Sequence, residues 1–181
     1  MKEQVEQQLQ ADFPFMKQDK NQGEQNAYRR WGCECSSGWY ALIHDMCQAI
    51  ADRYAAEGIP VDLVPLQVKE KFAALRFYYS FENEAPHIMA FDGLDGSSIR
   101  FEPGSCTQDE DQKKLRHDIA QIVRTYEEKS KSVCENCGDS TTARVRKDLR
   151  WKKTYCDSCY QRYLEYLNEQ KKSSHYKGDF Q

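Results

Sequence analysis

No apolar run in the 181-residue sequence approaches the length of a membrane span, which needs about 20 predominantly apolar residues. A membrane partner is therefore not expected. There is no glycine-rich phosphate loop, no Gly-x-Ser-x-Gly and no paired-carboxylate signature, so the commonest phosphoryl, acyl and glycosyl chemistries lack their residues. His87, His117 and His175 fall in a loop, on the polar face of a helix and in a tail. None has a partner that would make it a base. Asp92-Gly93-Leu94-Asp95-Gly96 opens like a calcium loop but is not followed by the later acidic ligands. Met1-Lys2-Glu3-Gln4 leads into a glutamine-rich polar stretch rather than an apolar signal core, and a reducing cytoplasm is the expected compartment. These absences favour a non-enzymatic protein with no small-molecule substrate.

What the chain does hold is cysteine in metal spacing. Cys134-Glu135-Asn136-Cys137 is followed, after eighteen residues, by Cys156-Asp157-Ser158-Cys159. A C-x2-C turn lets two thiolates converge on one ion, and two such turns complete the tetrahedron that zinc accepts. Gly138 stands where the first turn needs a positive φ. Four thiolates leave no open position for water, and no His-x-Glu accompanies them, so the expected Zn2+ is structural. It would supply folding energy to a segment too short to bury much core of its own.

Charge is unevenly spread. The net value is -3, yet residues 132–181 carry ten Lys/Arg against seven Asp/Glu, and the preceding 131 residues carry sixteen against twenty-two. The excess is concentrated between the two cysteine pairs, in Arg144, Arg146, Lys147, Arg150, Lys152 and Lys153, with Trp151 and Tyr155 interleaved. Such a loop can grip phosphates and stack a base. It can equally be a solvated, charged hairpin tip. A second constellation, Cys33, Cys35, His44 and Cys47, has His44 and Cys47 at i and i+3 on one helix. It reads either as a second metal set or as buried Cys35 and Cys47 beside an exposed His44, with a reactive Cys35 thiolate as a third option.

Periodicity predicts an α+β fold in which a small antiparallel sheet from residues 61–102 is packed by two helices, 37–57 and 109–131. A zinc ribbon and a terminal helix follow. Residues 1–30 read as an N-terminal arm (a docked helix or a partly ordered tail), with a loop from Lys17 to Gln25. Residues 31–131 form the core domain, 132–171 the ribbon module and 172–181 a flexible tail. Ser36 or Ser37 is expected to cap the first helix, and Gly58-Ile59-Pro60 to end it. Period-two alternation places Leu66 and Val68 on one strand and Leu75, Phe77, Tyr79 and Phe81 on a second, central one, turning near Lys71 to Ala74. Lys69, Lys71 and Arg76 then share the charged outer side of this hairpin. Glu70 falls on the apolar side, so the strand either ends near Lys69 or pairs Glu70 with Lys71 or Arg76. Asp92-Gly93 and Asp95-Gly96 mark a second, smaller hairpin, and Pro103-Gly104 breaks the chain before the long helix. Arg144 to Arg146 and Trp151 to Tyr155 read as the ribbon strands, and Asp157 as the cap of the last helix.

Three blocks carry a resemblance: Cys35-Ser-Ser-Gly-Trp-Tyr-Ala-Leu-Ile, Gln67-Val-Lys-Glu-Lys-Phe-Ala-Ala-Leu-Arg-Phe-Tyr-Tyr79, and a helix running into Cys134-x2-Cys137 and Thr154-x-Cys156-Asp-x-Cys159. Together, over most of residues 31–160, they resemble a group of small uncharacterised proteins found in bacteria and their phages. In that group the first block commonly reads Cys-Gly-x-Gly-Trp and the second Lys-Phe-Gly-Gly-Leu-Arg-Phe. Here Ser36 replaces one glycine, and Ala73 and Ala74 replace the glycine pair, so a different hairpin turn is expected. The resemblance implies this architecture and a phage or prophage setting, and it assigns no catalytic residues. The leading expectation is a zinc-stabilised binding protein with a host protein as partner. The alternative is a nucleic-acid-binding zinc ribbon using the basic loop 144–153.

Overall fold

The computed structural model describes residues 1–18, 26–82, 90–92, 98–100 and 109–175. Residues 19–25 of the loop expected from Lys17 to Gln25, the turn at 93–97, His87, Pro103-Gly104 and the tail from 176 lie outside the described residues, as do the side chains of 90–92, 98–100 and 171–175.

The N-terminal segment docks rather than trails. Helix α1 (Glu3–Asp12) and the 3₁₀ turn Pro14–Met16 send Leu9, Phe13 and Met16 into the same apolar cluster as the later core residues. Fully burying side chains of this size stabilises a fold by about 1.5–3 kcal/mol each. Polar contacts fix the segment's position. The Met1 ammonium donates to the Cys33 carbonyl at 2.7 Å, and Glu6 Oε1 accepts the Cys33 amide at 2.8 Å. Short helix α2 (Ala27–Trp31) is capped by Asn26, whose Oδ1 accepts from Arg29 N while Nδ2 donates to Pro65 O. Gly32 follows at φ +66, with the Glu6 carboxylate 2.5 Å from where a Cβ would stand.

Strand β1 (Cys33–Glu34) pairs in parallel with β2 (Leu63–Lys71), which pairs antiparallel with β3 (Ala74–Phe81), in the order β1-β2-β3. Among the described residues, the second hairpin strand, expected to be central, is therefore an edge, and its near-continuous burial comes from helices rather than from a further strand. Helix α4 (Glu110–Lys129) and the 3₁₀ turn after it blunt that edge: Glu127 Oε1 accepts Phe77 N and Ser130 Oγ accepts Leu75 N, both at 2.8 Å. The strand parity also differs from the expected one. The register shifts between Pro65 and Gln67, so Leu66 is the extra residue of a bulge, and Leu63, Pro65 and Val68 are the buried positions. Strands β4 (Ala90–Asp92) and β5 (Ser98–Arg100) form the expected second hairpin, as a separate two-stranded sheet.

Helix α3 (Tyr40–Glu57) buries Ile43, Met46, Cys47, Ile50 and Tyr54 and packs against α4, where Arg53 pairs with Asp118 at 2.9 Å. It starts from a 3₁₀ turn at Ser37–Trp39, and neither Ser36 nor Ser37 caps it; Ser37 Oγ instead accepts the Lys2 amide. Gly58 ends it in the left-handed conformation, as expected. Between α3 and α4, Arg116 pairs with Asp62, donates to the Tyr54 hydroxyl and lies over the Phe81 ring at 3.5 Å.

Strands β6 (Arg144–Arg146) and β7 (Lys153–Tyr155) form the ribbon, and helix α5 (Asp157–His175) closes the described chain. Asp157 is the first residue of that helix, and the helix continues four residues past the expected end of the module at 171. No helix among the described residues is long and apolar enough to cross a membrane.

Candidate metal centre

Each half of the metal set is placed by a local device. The first cysteine pair leaves α4 through the 3₁₀ turn Ser130–Ser132, and Gly138, at φ +82, turns so that its amide bonds the Cys134 carbonyl at 2.8 Å. The second pair straddles the start of α5. The Sγ atoms of Cys134, Cys137, Cys156 and Cys159 lie within 4.8 Å of one another, the one such metal-compatible group among the described residues. A closed set of four thiolates has the donor chemistry of a structural zinc site. Cys134, Cys156 and Cys159 are buried and Cys137 is exposed.

Two donors outside the quartet aim at one sulfur. Asn136 Nδ2 lies 3.3 Å and Arg162 Nη2 3.0 Å from Cys159 Sγ. Burial opposes ionisation of Cys159, but these donors and the Cys137 and Cys156 contacts outweigh it and bring the thiol down to about 7. A thiolate is the form that binds metal.

The three sequence blocks meet at this centre. Gly38 of the first block donates its amide to the Glu135 carbonyl at 2.9 Å, and a Cβ there would stand 2.5 Å from the Cys134 carbonyl oxygen. Its neighbour Trp39 is fully buried and donates Nε1–H to Val133 O at 2.8 Å. From the second block, the β2–β3 turn presents the Ala73 carbonyl to Thr154 Oγ1 at 2.7 Å. Phe72 and Ala73 both hold positive φ, 54° and 62°, the pattern of a two-residue type I′ turn without glycine. Glu70 pairs, but with neither expected cation. Its Oε1 accepts the Ala73 amide, and its Oε2 meets Lys153 Nζ at 2.8 Å. Lys153 also reaches Glu135 Oε1 at 3.0 Å. One cation thus serves two carboxylates, and Glu135 is the poorly served one: its Oε2 is buried with no hydrogen bond. Burial pushes the Glu135 carboxyl above its ordinary range, and Lys153 only partly restrains it.

No protein-family model, curated protein or solved structure matches this chain.

The basic loop is depleted by its own fold. Arg146 is buried, stacked 4.4 Å over Tyr160, and it shares Asp157 with Arg144 at 2.7 and 2.9 Å. Lys153 belongs to the triad just described. Lys147, Arg150, Trp151 and Lys152 remain exposed, Trp151 at 69%. Among the remaining candidates, Cys33 and Cys47 are buried, Cys35 is partly exposed, and His44 sits beside Phe13 and Tyr40 with Asp12 at 3.5 Å. These four do not converge into a ligand set. Burial alone raises the Cys47 thiol, and Cys33 is raised by its hydrogen bond to Cys35 and by burial, so both are held as neutral core groups. A cleft of about 460 Å³ beside the Pro14 turn is walled by Phe15, Tyr28, Val61 and Val64, with Lys17 and Glu82 on its lining and, among the described residues, no histidine or cysteine.

Sequence reasoning did not single out Gly38, Thr154, Asn136 or Arg162. Gly38 and Thr154 stand inside the quoted blocks and Asn136 inside the first C-x2-C turn, whereas Arg162 left no trace in the one-dimensional pattern.

Proposed function

We propose that this chain is a non-enzymatic, zinc-stabilised binding protein of the cytoplasm, acting on a host protein in a phage or prophage setting. The observation that carries the reading is the closed tetrathiolate set, which offers a metal ion four sulfurs and reserves no position for water or substrate. The ribbon is tied to the core at Gly38, Ala73 and Glu70, which makes it a rigid mount rather than a loose appendage. What it presents is a short tip, Lys147 to Lys152, with an exposed Trp151 near its C-terminal end. Exposed tryptophan flanked by arginine is the composition that dominates protein-binding hot spots. The phage or prophage setting rests on the resemblance of the three blocks.

Nucleic-acid binding is the second reading, favoured by Trp151 standing between Arg150 and Lys152. Internal pairing of Arg144, Arg146 and Lys153 weighs against it, because those cations already hold carboxylate partners.

The test begins with metal analysis of the purified protein, expected to give one zinc per chain. The protein is then used as bait in bacterial lysate, with Trp151→Ala as control. Recovery of one dominant protein by the wild type and not by the variant supports the reading. Oligonucleotide binding that weakens steeply with salt, and is lost on charge reversal at Arg150 and Lys152, overturns it in favour of the second.

A further inference from the structure

Four thiolates around a divalent cation leave two excess negative charges in a largely buried site, and something nearby must offset them. Building on the zinc reading above, we infer that Asn136 and Arg162 are the outer donors that retain the ion by stabilising the Cys159 sulfur. Cys137 is then the sulfur through which the site opens.

Sequence position makes both contacts possible. Asn136 lies inside the first C-x2-C turn, yet its amide reaches a sulfur of the second, so the bond spans the two halves of the site. Arg162 stands three residues after Cys159 on α5, the spacing that places two helical side chains on one face. Its guanidinium carries the permanent positive charge that the cluster lacks. Hydrogen bonds draw electron density from a thiolate and hold its orientation, and groups around a metal site act on affinity in this way.

The four sulfurs are consequently unequal. Cys159 is buried and receives two side-chain donors. Cys156 is buried and accepts the Cys159 amide at 3.5 Å. Cys134 is wholly buried. Cys137 alone is exposed, and neither of the two side-chain donors reaches it. Among the four ligands, a thiol reagent therefore meets Cys137 first. With N-ethylmaleimide the sulfur electron pair forms a bond to the alkene carbon, the adjacent carbon takes a proton from water, and the sulfur is lost as a ligand.

The experiment uses the full-length zinc-loaded protein and compares wild type with Asn136→Ala, Arg162→Gln and Arg162→Lys. Zinc transfer to a chromophoric chelator gives the dissociation constant, and peptide mass mapping gives the order in which cysteines are labelled. Arg162 is exposed, so its variants are expected to fold, and far-UV circular dichroism checks this. Asn136→Ala and Arg162→Gln are each expected to weaken zinc binding by about 10–100-fold. Arg162→Lys, which keeps charge but not the fork, falls between. Among the four ligands, Cys137 is labelled first in the wild type, and Cys159 labelling accelerates in both donor variants. Dissociation constants within twofold of wild type for both, or Cys159 labelled as early as Cys137 in the wild type, overturn the inference while leaving the zinc reading intact. Wild-type protein without stoichiometric zinc removes both.

Discussion

Thr154 and Ala73 lie 81 residues apart, and the Thr154 hydroxyl donates to the Ala73 carbonyl at 2.7 Å in a fully buried setting. This bond fastens the metal ribbon to the strained turn of the main hairpin. Thr154→Val keeps the side-chain shape and leaves a buried carbonyl unsatisfied, which costs about 1–3 kcal/mol. Urea unfolding of the metal-loaded variant should show that loss, with the slope of the transition unchanged.

The turn itself carries strain that glycine would relieve. A left-handed conformation costs a non-glycine residue about 1–2 kcal/mol, while adding glycine costs about 0.4–1 kcal/mol through the unfolded chain. Ala73, at φ 62, is therefore expected to gain up to about 1 kcal/mol on Ala73→Gly. Ala74 is extended and already in β3, so Ala74→Gly should lose about 0.5–1 kcal/mol. Opposite shifts in melting temperature for these adjacent substitutions check the assignment of the turn to Phe72-Ala73.

Much of the fold was legible because its signals are local. The C-x2-C spacing, the helical stripes of α3 and α4, the Gly58 stop and the β2–β3 turn are all set within a few residues. The burial of Glu70 was legible as a problem, since alternation placed a carboxylate on the apolar side. Its solution was not, because Lys153 is 83 residues away. The same holds for Arg146: a cation between two strands reads as solvated until Tyr160 and Asp157 are brought beside it. The bulge at Leu66 changed the parity upstream of Val68, which is buried as expected; Pro65 is of a type found at bulges, but the spacing alone does not say which residue is the extra one. At the metal centre the ligands were readable from spacing, whereas Gly38 and Arg162 act through space.

Lys153 holds two carboxylates, and removing it should cost more than removing either. Its side chain is 27% exposed, against 20% for Glu70 and 2% for Glu135. Lys153→Met leaves two poorly solvated like charges together, and breaking a buried pair in this way costs about 3–5 kcal/mol. Glu70→Gln retains a hydrogen-bond acceptor for Ala73 N and should cost less. The double variant Lys153→Met with Glu135→Gln should recover part of the loss, a coupling that a double-mutant cycle measures directly.

Asp62 supplies the pH dependence of the core. Burial alone would raise its carboxyl, but hydrogen bonds from Arg116 and Tyr54 and the Arg116 charge outweigh it and hold the pKa below the ordinary carboxylate range. A group whose folded pKa is depressed contributes stability that is present above its unfolded value and is lost as pH falls through the folded one. The difference in melting temperature between wild type and Asp62→Asn should therefore be constant above the ordinary carboxylate pKa of about 4 and shrink below it. Comparing the two proteins at each pH cancels loss of metal in acid, which both share. A difference that stays constant down to pH 2 would show that Arg116 and Tyr54 do not favour the ionised form.

Metal removal should reach beyond the ribbon, because the latch runs through backbone. The Leu75 amide is held by Ser130, four residues before Cys134, and the Ala73 carbonyl is held by Thr154, two residues before Cys156. Losing the ion frees both knuckles, and with them the clamps on the hairpin tip. Hydrogen exchange on chelator-treated protein is expected to accelerate at Cys134, Glu135 and Leu75 together. Val68, in the middle of β2 between β1 and β3, should stay protected, since its pairing and burial do not depend on the ribbon. If Leu75 remains as protected as Val68 after the metal is gone, the hairpin tip is held by the core alone and the ribbon is a passive attachment.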